Sequence, residues 1–243
     1  MMEESKYKYN SWPLGKVPIE LQRPEIYKLK ELGYKFNDAR DVVDIFENKV
    51  AEFAGSTYAV SVDSCSHGIF LCIKYLQSIG EIKKDETIII PNRTYVSVPM
   101  QIIHAGLKLE YQHIEWSGLY QLTPTRIVDS AVRWKKNMYL GNDVLQVISF
   151  QFKKPICIGK GGIILTNDFD AYSALRLMRY DGRNMELPYD HPNHTQTLGY
   201  HMYMEPESAA RGIILMDSVK FEGDSGNYTM YPDVEKMMNN IKL

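Results

Sequence analysis

Two adjacent lysines, Lys153 and Lys154, stand between an apolar run, VLQVI at residues 144–148, and a glycine-rich turn that ends at Gly162. The run reads as a buried strand, and residues 163–166 beyond the turn read as another. An amine held between two buried strands is poorly hydrated, so it should have a lowered pKa or a covalent partner. Either makes it a nucleophile or a base. A bare Lys-Lys pair is more often two solvated side chains on a hairpin, so the surrounding residues must decide.

Two further stretches have chemical potential. In DSCSHG, residues 63–68, a small polar turn joins a strand at 58–62 to an apolar helical run at 69–76. Such a turn leaves free backbone N–H groups at a helix N-terminus, where phosphate binds, with Ser64, Cys65 and Ser66 as donors. A plain helix cap uses the same residues. In RIVDSAV, Asp129 ends the apolar pair Ile127 and Val128, where a parallel sheet delivers side chains to its carboxyl edge and ligands collect. A carboxylate there also serves as an N-cap. His191 and His194 have no carboxylate or thiol partners in their stretch, so they are assigned to a loop and no metal is expected.

Residues 149–162, SFQFKKPICIGKGG, resemble the lysine signature of the DegT/StrS sugar aminotransferases, which use pyridoxal phosphate (PLP). Ser149, Phe150, Lys154, Gly159, Gly161 and Gly162 fall on its fixed places, so the resemblance makes Lys154, not Lys153, the lysine that carries PLP. It further implies that Asp129 pairs with the pyridine nitrogen and that Tyr95, after Thr94, stacks on the ring. Cys65, Ser66 and Ser149 would bind the phosphate. Gly199, Tyr200, Met204, Ala209, Ala210 and Gly212 match the family's glycine-tyrosine loop and the helix after it. That loop often reaches the cofactor of a neighbouring subunit, here through His201.

The chain departs from the family at four points. Cys65 and Ser66 replace a Gly-Thr pair, Val132 replaces a Gln or His that meets the ring oxygen, and His201 replaces a loop asparagine. The relatives are also longer, with a strand-helix unit before the aspartate and a separate C-terminal domain.

Several elements must position these residues. A helix opens near Asp38, with Val42, Val43, Phe46, Val50 and Phe53 at helical spacing, and ends at Gly55. Residues 87–90 read as a strand running into Pro91, a helix follows at 98–104, and a strand at 107–111. Past the lysine, residues 171–182 read as an amphipathic helix with Leu175, Leu177 and Met178 inward and Arg176 and Arg179 outward. The expected fold is α/β, a mostly parallel sheet with helices on both faces, a shortened fold-type I domain. Three parts are expected: an irregular arm at 1–37, a PLP-binding domain at 38–219, and a polar tail at 220–243 with a short helix near 233–241.

At 243 residues, 44% hydrophobic, the chain can build a sizeable core, and a net charge of -2 with mixed signs gives no basic surface for nucleic acid or anionic membrane. Three cysteines, Cys65, Cys72 and Cys157, without metal or redox spacing, and a charged N-terminus fit a reducing cytoplasm. The expected function is transfer of an amino group, with glutamate as donor, to the keto group of a nucleotide-linked sugar by a homodimer. Alternatives are a non-catalytic PLP-binding or regulatory homologue, a partner subunit of a full-length enzyme, or a nucleotide-binding domain without PLP.

Overall fold

The computed structural model describes residues 23–239. Most of the expected N-terminal arm therefore lies outside the described residues. Its last part is not irregular: α1, Pro24–Glu31, is a helix with Pro at its start. It buries Ile26 and Leu29 in the core.

The second helix, α2, Asp41–Ala54, forms where the periodicity predicts, burying Val42, Phe46 and Val50. Gly55, at φ 77, ends it in the left-handed conformation that glycine adopts freely. Its start differs from expectation. Arg40 takes the cap position, and the Asp41 carboxylate instead accepts the N–H groups of Asn37 and Asp38, each at 3.0 Å.

The α/β class holds, and the sheet is mixed rather than mostly parallel in its pairings. Strands β1 (Tyr58–Val62), β4 (Tyr120–Leu122), β5 (Ile127–Asp129), β7 (Leu145–Ser149) and β8 (Gly162–Thr166) form one sheet in the order β1-β8-β7-β5-β4. Only β5 and β7 pair in parallel there; β8 is antiparallel to both neighbours and β4 to β5. Strands β2 (Thr87–Pro91) and β3 (Lys108–Gln112) pair in parallel and meet the main sheet through the antiparallel Ile89–Thr123 bridge. Followed across these pairings, β1, β2, β3, β5 and β7 run one way, and β8 and β4 oppose them.

The reversals have a local cause. Parallel neighbours need a crossover with room for a helix. The chain between β7 and β8 is used for the lysine loop, and that between β4 and β5 is a tight turn, so both strands return antiparallel. The stretch before Asp129 holds no strand-helix unit, as its length predicts, but it does hold β4.

Helices cover both faces. Val60, Val62, Leu145, Val147 and Ile164 join the core under α3 (Cys65–Ser78), α4 (Ser97–His104) and α5 (Phe169–Met178). Ala59, Ile148, Ile163 and Leu165 point to the other core, with α1, α2 and α6 (Pro206–Ser218). The period-2 alternation of each strand thus feeds two hydrophobic layers.

Arg179, just past α5, is buried rather than outward. Its guanidinium meets the buried Glu47 carboxylate of α2 and donates to the Ser61 carbonyl of β1 at 2.7 Å. Glu47 also accepts the Ser61 N–H at 2.7 Å. Helical periodicity sees one face at a time and misses a charge whose partner lies over a hundred residues away.

The C-terminal region folds back onto the domain. Strand β9 (Gly223–Asp224) pairs with β6 (Arg133–Trp134), a single 3-10 turn spans Tyr228–Met230, and α7 (Val234–Met238) follows. Asp233 caps α7 by accepting the Lys236 N–H, as the predicted short helix requires.

Candidate active site

Lys154 sits on the loop between β7 and β8. Phe150 donates its N–H to the Gly161 carbonyl at 2.9 Å and Phe152 donates to Gly159 at 3.1 Å, closing the loop base. The Lys154 N–H bonds the Gln151 carbonyl at 2.8 Å. Phe150 fixes the loop from below, fully buried against Phe46 and Trp134 with ring centroids 5.3 and 5.9 Å away. Partial burial lowers the Lys154 amine pKa, opposed by the Asp129 charge. Lys153 is exposed, its ammonium over the Phe152 ring.

Asp129 ends β5, and its carboxylate is fixed at both oxygens. Oδ1 accepts the Ala131 N–H at 2.9 Å and Oδ2 accepts the Tyr120 hydroxyl at 2.6 Å. Tyr120 also meets the Thr94 hydroxyl. Burial raises the carboxyl pKa, while Tyr120, the Ala131 N–H and the Lys154 charge pull it down. A cation set against this carboxylate would relieve the cost of its burial.

The polar turn after β1 forms, and α3 begins at Cys65, four residues before the expected helical run. Ser64 caps α3, accepting the His67 N–H at 3.2 Å, so the N–H groups of Cys65 and Ser66 head the helix. The Ser66 hydroxyl shares a hydrogen bond with Ser97 at 2.6 Å. Gly162 makes this placement possible. A Cβ there would lie 2.5 Å from the Cys65 nitrogen and 2.6 Å from the Ser64 carbonyl carbon. Burial pushes the Cys65 thiol well up, with Asp129 adding to the effect, so this side chain is neutral.

These groups open into one cavity of about 460 Å³, at the carboxyl edge of β1, β2, β5 and β7. Lys154, Asp129, Tyr95, Cys65, Ser66 and Ser149 all line it. His201 does not: it is exposed and pairs with Asp181, Nδ1 to Oδ2 at 3.0 Å. Tyr95 is 56% exposed. Lys160 stands at the rim, its ammonium 3.1 Å from the Asp63 carboxylate. Val132 also lines the cavity and gives it an apolar patch.

Sequence reasoning missed Tyr120, Trp116, Ser225 and Tyr231, which complete the walls. Tyr120 has a faint signal, an alternating Tyr-Gln-Leu run one turn before the Asp129 strand. Tyr231 has none, since it lies in a polar tail.

The donor set fits PLP: an amine for its aldehyde, a buried carboxylate for its ring nitrogen, a helix N-terminus and two serines for its phosphate. Among the described residues, no group of three or more His, Cys, Asp or Glu gathers to hold a metal, and no helix is long and apolar enough to cross a membrane.

Comparison with known proteins follows the same line. The chain is similar in structure to AtS13 from Actinomadura melliaura, at 18% identity and TM-score 0.62, over 80% of this chain and 64% of that one. It is also similar to an E. coli GDP-4-keto-6-deoxy-D-mannose-3-dehydratase with bound hydrated PLP, at 18% identity and TM-score 0.60, over 79% and 64%. A third likeness is the sugar aminotransferase CalS13 from Micromonospora echinospora, at 15% identity and TM-score 0.61, over 80% and 64%. The chain thus spans less than two thirds of the length of these structures. No curated protein matches it by sequence. A sequence model of the DegT/DnrJ/EryC1/StrS aminotransferase family matches residues 35–135 and 131–224. With most of its length matched, the chain belongs to the DegT/DnrJ/EryC1/StrS aminotransferase family.

Proposed function

We propose that this chain is a PLP-dependent aminotransferase that moves an amino group, with glutamate as the expected donor, onto the keto group of a nucleotide-linked sugar. One observation carries the reading: the Lys154 amine, the Asp129 carboxylate and the N-terminus of α3 open into one cavity. Bound PLP supplies an electron sink for the carbon that carries the transferred amino group.

The chain's own residues do the rest. Lys154, with its amine pKa lowered by burial, would hold the cofactor through its aldehyde carbon and would carry the proton to and from the donor's α-carbon. Asp129, oriented by Tyr120 and the Ala131 N–H, keeps a proton on the ring nitrogen. Ser66, Ser149 and the amides of Cys65 and Ser66 take the phosphate dianion, and Tyr95 flanks the ring. Lysine at position 154 favours amino transfer over dehydration, which in related PLP enzymes is the work of a histidine.

A homodimer is part of this proposal: His201, exposed and paired with Asp181, lies outside its own cavity, on the loop that in the resemblance reaches the cofactor of a partner subunit. Light scattering on the purified chain tests it. Val132, which lines the cavity and can donate no hydrogen bond, favours a second reading, a PLP-binding homologue without turnover.

The deciding experiment is the absorption spectrum with added PLP, before and after borohydride, followed by peptide mass spectrometry. A visible band that borohydride fixes onto Lys154, and that Lys154→Ala lacks, supports the PLP reading. Bleaching of that band by glutamate supports aminotransferase, and a band that no amino donor bleaches supports the second reading. A colourless protein in excess PLP rejects both.

A further inference from the structure

The family match ends at residue 224, but the cavity wall does not. Ser225, Met230 and Tyr231 line the cavity from a segment, residues 223–238, that is fastened along its length. The Asp224 carboxylate accepts Arg133 Nε and Nη2, each at 2.8 Å. The Gly118 N–H donates to the Gly226 carbonyl at 3.1 Å, and Tyr228 donates its N–H to Trp116 at 3.1 Å. Arg93 Nη1 donates to the Tyr231 carbonyl at 3.1 Å, and the Val234 N–H to the Asn92 carbonyl at 2.8 Å. The backbone is therefore held on both sides of residue 231.

The Tyr231 side chain is half-buried against Trp116, ring centroids 5.5 Å apart and planes 38° apart. Trp116 is itself fixed, its indole N–H bonded to the Arg93 carbonyl at 2.9 Å. Tyr231 shares the cavity wall with Asp129, Cys65 and Tyr95. Burial first, then the Asp129 charge, push that hydroxyl up to about 12, so it is a neutral donor at neutral pH.

We propose that Tyr231 is a further PLP-binding residue, the contribution of this C-terminal segment to a site otherwise built by the family fold. The inference rests on the PLP reading above. A ring already ordered by Trp116 and by anchors on either side loses little conformational freedom when a planar ligand packs beside it. It lines the same cavity as Asp129, the group assigned to the ligand's ring nitrogen. By covering this side, the segment adds to the cavity a wall from beyond the family-matched residues.

The probe is 4′-deoxypyridoxine 5′-phosphate, which keeps the ring and the phosphate but has no aldehyde for Lys154, so its affinity reports the non-covalent site alone. Calorimetric titration of the full chain should give a dissociation constant about tenfold weaker in Tyr231→Leu, the change expected for one aromatic contact. Tyr231→Phe, which keeps the ring, should stay within about threefold of wild type. Tyr228→Phe, on the same turn but outside the cavity, should bind as wild type does. A second measurement needs no variant: hydrogen exchange of the peptide that holds Tyr231, read by mass spectrometry, should slow when the probe binds. Unchanged affinity in Tyr231→Leu, or exchange that the probe does not slow, overturns this inference alone. Wild-type protein that binds neither PLP nor the probe overturns the PLP reading with it.

Discussion

At the scale of single residues, Asp129 sits in tension between stability and chemistry. Burial raises its folded carboxyl pKa above the ordinary 3.8, so the folded chain holds that proton more tightly than the unfolded chain does. Stability is therefore fully present below pH 3.8 and is lost as pH rises to the folded value. Asp129→Asn removes this loss: without cofactor it should melt higher than wild type at neutral pH, with the gap closing in acid, while amino transfer falls by about 100-fold or more. A variant that melts lower at neutral pH would show that the carboxylate is a net structural asset. Tyr120→Phe withdraws a donor from the same carboxylate, and a bond to a charged group contributes about 1.5–3 kcal/mol. Its expected signature is a kcat at least about tenfold lower with the acid limb of the pH profile moved to higher pH; an unmoved limb would mean that Tyr120 only packs. Lys154, Ser149 and Asp129 were legible because each belongs to a short contiguous motif. Tyr120 and Tyr231 were not, because what makes them part of the site is a neighbour brought in from elsewhere in the chain.

At the scale of elements, the cavity exists because α3 begins against β8. Gly162 is the point of contact, and its neighbours there are backbone atoms of Ser64 and Cys65, which have no rotamer by which to yield. Gly162→Ala should push the start of α3 away, costing about 1–3 kcal/mol in urea unfolding. PLP affinity should fall more steeply than stability alone predicts, since the phosphate donors are what moves. Equal losses in Gly162→Ala and in an overpacked core site remote from the cavity would reduce Gly162 to a packing residue. The strands and helices around it could be read from periodicity with shifts of a few residues. Strand direction was harder: the apolar runs of β7 and β8 look alike whichever way they point, and only the missing crossover helix between them signals the reversal. The short strand β4 escaped because three residues carry too little pattern.

At the scale of the molecule, two hydrophobic layers lie on opposite faces of the sheet, and Glu47, Ser61 and Arg179 fasten them at the β1 edge. Glu47 comes from α2 on one face, Arg179 from the end of α5 on the other, and Ser61 from the strand between. Glu47 and Arg179 are 3% and 6% exposed, so neither charge can turn to water if its partner is lost. Breaking such a pair costs about 3–5 kcal/mol, because the surviving charge stays buried, whereas replacing both charges together is nearly neutral. Arg179→Met should therefore lower unfolding free energy by about that amount, Glu47→Gln by a comparable one, and the double variant should recover most of the loss. The chain's division into two helical layers was legible in its strands, since alternation assigns each side chain a face. The clasp between the layers was not, because an arginine at the end of an amphipathic helix reads as solvated until the opposing carboxylate is seen. Additive losses in the double variant would show that Glu47 and Arg179 act separately, and the two layers would then be held at this edge by the sheet alone.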